Sequence, residues 1–199
     1  MQPSPPETAL RRAVAIVALL NLGYFGVEFA VATRIGSVSL YADSVDFLED
    51  ASINLLILLA LGWGAAWRAR VGFVLAGILL LPGFAALSAA WDKLVAPSVP
   101  DPVPLSLAGL GAMAVNLACA LILARVRAQG GSLARAAFLS ARNDVLANIA
   151  IVAAGLVTAL LWRSPWPDFA VGVAIILMNA DAAREVWEAA REEHRAARA

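Results

Sequence analysis

Six stretches of the chain are apolar for about the 20 residues that a helix needs to cross a hydrocarbon core. They lie at roughly 11–33, 38–66, 71–92, 104–124, 133–162 and 167–186. A chain of 199 residues that is 61% hydrophobic and only 15% charged is too apolar for a soluble domain of its size. A mean hydropathy of +0.78 agrees. The expected fold class is all-α, a polytopic membrane protein with six transmembrane helices. The run PSVPDPVP separates the third and fourth segments, because no helix crosses it. Pro82 is expected to kink the third. The polar, Pro-rich start MQPSPPETALRR does not read as a cleavable signal peptide. The expected organisation is a tail over 1–10, a membrane domain over 11–190 and a short charged tail over 191–199, with no soluble domain after it.

Basic residues set the expected orientation, since cytoplasmic loops collect Lys and Arg. With the N-terminus inside, that side holds Arg11, Arg12, Arg68, Arg70, Arg125, Arg127 and Arg135, and Arg184, Arg191, Arg195 and Arg198 join them. The opposite side holds only Arg34, Lys93 and Arg163. Both termini are therefore expected in the cytoplasm.

Several acids stand where hydrocarbon would surround them. A charge at the bilayer centre costs roughly 2.5–3.5 kcal/mol on insertion scales, so such groups face a protein interior or a wet cavity. Asp43, Asp46, Asp50 and Asn54 fall at i, i+3, i+7 and i+11, one stripe of the second helix, with Glu49 about 100° away from Asp50. Ser140, Asn143, Asp144 and Asn148 fall at i, i+3, i+4 and i+8 on the fifth. The two helices run in opposite directions, and at about 1.5 Å per residue both groups reach a similar depth near the midplane. Two facing stripes would line one oxygen-rich cavity. Acids converging there repel unless protons or a cation neutralise them. A divalent cation alternating with protons does both.

The other polar residues carry less. Asn21 and Glu28 share a face of the first helix and are expected to line an outer entrance. Asn116 reads as a contact between helices, and Cys119 as a small packing residue. Arg142 is expected to snorkel or to pair with Glu49 or Asp50. Asp181 and His194 read as solvated groups, Asp181 beside Arg184.

NLGYFGVEFAVATRIGSVSLYADSVDFLEDASINLL resembles the first two helices of the cation diffusion facilitator family, the cation efflux proteins. That family shows a first helix with a buried Glu, a Gly-Ser turn and the pattern LADxxHxxxD. Ala42-Asp43 matches its start, Asp46 falls at the His and Asp50 at the closing Asp. RAAFLSARNDVLANIAIVAAGLV resembles the fifth helix, where Ser140 stands at the usual His and Asp144 at the Asp. The resemblance covers about residues 10–190 of the transmembrane domain.

It implies a divalent metal cation transporter, not an enzyme, working by alternating access as a metal/proton antiporter that empties the cytoplasm. It also implies metal ligands Asp46, Asp50, Asp144 and Ser140. Asn143, Asp43, Glu28, Asn54 and Asn148 would be accessory groups or proton relays. With no imidazole at the site the ligands are all oxygen, which suits manganese as well as zinc and leaves zinc, manganese, cobalt, cadmium and iron undistinguished. No cofactor is expected beyond the transported ion. The expected partners are that ion, protons, the lipid bilayer and a second copy through transmembrane helices, with no nucleic acid. The expected location is the bacterial inner membrane. A transport-inactive relative that binds metal or scaffolds is the alternative. An intramembrane aspartyl protease fits worse, because Ala141-Arg142-Asn143 precedes Asp144 where such enzymes carry Gly-x-Gly.

Overall fold

The computed structural model describes residues 5–60, 84–126 and 131–178; for 5–7, 60 and 131–140 it describes the backbone alone. The described residues form six helices: α1 (Pro5–Ile35), α2 (Val38–Ala60), α3 (84–95), α4 (Pro102–Val126), α5 (Gly131–Leu160) and α6 (Trp166–Met178). The fold is all-α. Pro82, the basic residues 68, 70 and 127, the Ser140 side chain, Asp181 and the tail with His194 lie outside what is described.

The breaks follow from local chemistry. Gly36 adopts φ +63°, and the Ser37 N–H reaches back to the Ala32 carbonyl at 3.2 Å, which stops α1 in a Schellman turn. Ser37 then starts α2 through its Oγ, which accepts from the Leu40 N–H at 3.2 Å. Before α4, Asp101 Oδ1 accepts from the Val103 N–H at 3.1 Å, and Pro102 takes the first helical position, where a missing N–H costs nothing. Ser164 and Pro165 start α6 in the same way, with the Trp166 N–H donating to Ser164 Oγ at 3.4 Å.

Three helices qualify as membrane spans by length and composition: Thr8–Ile35, Pro102–Val126 and Ala141–Leu160. With 23 residues α2 is long enough, but Asp43, Asp46, Glu49 and Asp50 are too many acids for that test. It survives among apolar helices because they surround it. α1 packs against α2 and α4, α4 against α5, and α5 against α2, closing a ring of four helices. Leu19, Leu22, Leu107, Leu121, Leu146 and Leu156 point out of it, as a lipid-facing surface requires.

Two apolar clusters fill the ring. One, nearer the Gly36 end, gathers Ala32, Leu40, Ala42, Leu105, Ala108, Ile151 and Ile175. The other holds Leu10, Val14, Val17, Ile57, Leu123, Val126 and Ala141. Between them lies a buried polar belt, which α2 and α5, running antiparallel, bring to the centre of the bundle.

Candidate metal site

The belt has two layers, each built from all four helices of the ring. In the layer nearer Gly36, Asn116 of α4 donates from Nδ2 to Asn148 Oδ1 of α5 at 3.0 Å. Asn148 Nδ2 donates in turn to Asp43 Oδ2 of α2 at 2.6 Å. Asp43 meets the carboxyl group of Glu28 from α1 within hydrogen-bonding reach. Asp43, Glu28 and Asn148 have no exposure at all.

The second layer lies one to two turns away. Cys119 Sγ of α4 donates to Asn21 Oδ1 of α1 at 3.5 Å. Asn21 Nδ2 donates to Asp50 Oδ2 of α2 at 3.5 Å, a long contact. The carboxyl group of Asp50 lies within hydrogen-bonding reach of Asp144 on α5. Asp46 sits between the layers, half-buried and close enough to both Asp144 and Asp43 for their charges to repel. Glu49, also half-buried, stands on the flank near Asp50 and Asp144. Facing carboxyl groups in such an enclosure need a proton or a cation between them.

The expected residues thus fall into groups. Asp43, Asp46, Asp50, Asp144 and Asn148 share the belt. Among the described residues, no three acid, cysteine or histidine side chains are gathered tightly enough to close around an ion. Asn54 is buried but turns inward on its own helix, its Nδ2 donating to the Asp50 carbonyl at 2.8 Å. Asn143 does not join the belt. Its side chain is exposed, because 100° per residue carries it past the edge of the face that Asp144 and Asn148 share. Arg142 is exposed too, and donates to Asn143 Oδ1 at 3.4 Å instead of pairing with Glu49 or Asp50. Glu28 lines no open entrance; it is sealed against Asp43.

One buried acid escaped the sequence. Asp168 of α6, fully buried, accepts from Ser37 Oγ and Ser39 Oγ at 2.6 Å each, from the Val38 N–H at 2.9 Å and from the Ser39 N–H at 3.2 Å. It caps α2 from a different helix. Gly172, one turn further along α6, permits this approach, since a Cβ there would come within 2.7 Å of the Ser39 backbone nitrogen. Seryl groups flanking the bare N-terminus of an apolar helix, in Ser37-Val38-Ser39, were the available signal. Lys93 closes the neighbouring loop by donating to the Ser98 carbonyl at 2.7 Å. Burial pulls its ammonium group below the ordinary lysine range, against the opposite pull of Asp168.

A ring of apolar helices around a buried belt of acids and amides defines a polytopic membrane protein with a polar interior. The model of the cation efflux transmembrane domain matches residues 14–192, and the chain belongs to that family, one of metal cation transporters and not of enzymes. No curated protein matches the chain.

Proposed function

We propose that this protein carries a divalent metal cation out of the cytoplasm in exchange for protons, by alternating access around the α2–α5 belt. The observation that carries the reading is the meeting of buried Asp50 with half-buried Asp144 from the facing helix, with half-buried Asp46 a turn away. In the reading, Asp46, Asp50 and Asp144 bind the ion, with Ser140 one turn before Asp144 on α5 as a fourth oxygen. Asp43 and Glu28 hold protons towards the Gly36 end. Asn148 orients Asp43, and Asn54 holds the backbone beneath Asp50; the exposed Asn143 has no direct part.

Orientation rests on the charges. The Gly36 end carries Arg34, Lys93 and Arg163, far fewer basic residues than the other, so it faces outward and both termini face the cytoplasm. Residues 11–190 act as the transport unit. The membrane is the bacterial inner membrane, and pairing of two copies would use transmembrane helices. An all-oxygen donor set accommodates manganese, zinc, cobalt, cadmium or iron, with the harder ions favoured by the lack of imidazole.

Proteoliposomes containing the protein test this with each of the five ions in turn, with and without a proton gradient. The proposal expects uptake of at least one divalent ion, accelerated when protons can flow the opposite way. Binding of an ion without flux would favour a sensing or scaffolding protein instead.

A further inference from the structure

The layer nearer Gly36 has a chemistry of its own. Asn116 occupies the Asn148 acceptor oxygen, so Asn148 presents only N–H groups to Asp43. Asp43 Oδ2 is therefore an acceptor. Its other oxygen, Oδ1, and both oxygens of Glu28 are buried, and among the described residues no donor group reaches them. Two carboxylates in contact, each with no exposure, would repel across a medium that screens them poorly. A single proton resolves this, because a protonated Glu28 donates its O–H to Asp43 Oδ1. A second proton finds no acceptor, since Asp43 Oδ2 already faces an N–H.

The surroundings bear on when that proton stays. Tyr24 faces the pair from α1, Asp46 and Asp50 from α2, and Asp144 faces Asp43 from α5. From α4, residues 108–119 bring no charged side chain. The Tyr24 hydroxyl is already committed, donating to the Ala108 carbonyl at 2.6 Å. Among the described residues, every ionisable group around the pair is thus an acid, and a cation arriving among Asp46, Asp50 and Asp144 would reverse the local field.

We propose, resting on the transport reading above, that Glu28 and Asp43 form a one-proton pair, separate from the metal ligands, that is loaded in the metal-free protein and emptied by the arriving cation. In the release step the O–H bond of Glu28 breaks, its electron pair stays on the carboxylate, and the proton passes to water. The pair is then an anion whose extra charge the metal balances. This makes Glu28 the residue through which metal occupancy and proton occupancy exclude one another.

Infrared spectroscopy of the full chain in lipid tests the pair directly. The metal-free parent at neutral pH should show the carbonyl stretch of an un-ionised carboxylic acid that shifts on carbon-13 labelling of glutamate. Saturating Mn2+ should abolish that band. Glu28→Gln should lack it while remaining folded, because the amide N–H replaces the O–H donor to Asp43 at the same shape, and its transport should lose stimulation by a proton gradient. Asp168→Asn should keep the band.

Absence of the band in the metal-free parent, or its persistence in Glu28→Gln, overturns the pair. Persistence of the band at saturating Mn2+ overturns the release step. A parent that binds none of the five ions overturns the transport reading and the release step together, while the metal-free band still judges the pair by itself.

Discussion

Asp168 and Glu28 are both wholly buried acids in membrane helices, and they could hardly be treated more differently. Asp168 receives four donors, two hydroxyls and two backbone N–H groups, and pins α6 to the start of α2. Among the described residues, Glu28 receives none except through the carboxyl group of Asp43. A buried charge with all its hydrogen bonds made holds structure together. A buried acid left with only another acid for company is costly to the fold, and such residues persist where the cost serves a task. The difference separates a clamp at one end of the bundle from a working site at its centre.

The comparison breaks most visibly at Asp144. Asp144→Asn should lower metal flux in proteoliposomes beyond the roughly 10–100-fold typical of a group that merely supports a metal ligand. The same change should raise the thermal stability of the metal-free protein, because it removes one partner of a repelling pair. Asp168→Ala should do the reverse. It strands two buried hydroxyls and uncaps α2, for a loss of about 3 kcal/mol in stability. Flux per folded molecule should survive, and denaturation in lipid nanodiscs with transport on the folded fraction would read both. If the two variants move stability in the same direction, the distinction between clamp and site fails.

Smaller effects sharpen the picture. Ser140→His places an imidazole one turn from Asp144 and should shift the ratio of zinc to manganese flux about tenfold towards zinc. Competition between the two ions in one vesicle preparation measures it. An unchanged ratio would place Ser140 away from the ion. The smallest effect belongs to Lys93, on the clamp side. Its folded pKa is depressed, so between that value and the ordinary lysine value the unfolded chain binds the extra proton. Stability should therefore rise with pH through that window. Lys93→Met should flatten the rise, as thermal unfolding across alkaline pH would show.

Much of the centre was legible in the sequence. Acids at i, i+3 and i+7 in an apolar run have to share a buried stripe, and opposite helix directions put Asp50 and Asp144 at one depth. The polar role of Asn116 between helices was legible too, though its partner was not. What a stripe cannot reveal is which neighbour fills each gap. The links from Asn21 to Asp50 and from Cys119 to Asn21 depend on α1 and α4 both lying beside the acids, a consequence of packing and not of spacing. Asn143 misled because residues three and four apart flank a face from opposite sides, and only one of them need point inward. Arg142 found a neighbour on its own helix, since the outward face of α5 offers no carboxylate. Asp168 drew no reading from its own neighbourhood, because its partners lie 129–131 residues earlier, beyond the reach of any local pattern.

The central claim is that metal and protons alternate within the belt of buried acids. Its most direct test is simultaneous recording of Mn2+ uptake and proton release in vesicles carrying the parent chain, the Asp50→Ala/Asp144→Ala double variant, or Asp168→Asn. The account predicts metal entry matched by proton exit for the parent and for Asp168→Asn, with both movements lost in the double variant. Metal entering the double variant as fast as the parent, or entering the parent with no proton movement, would contradict it.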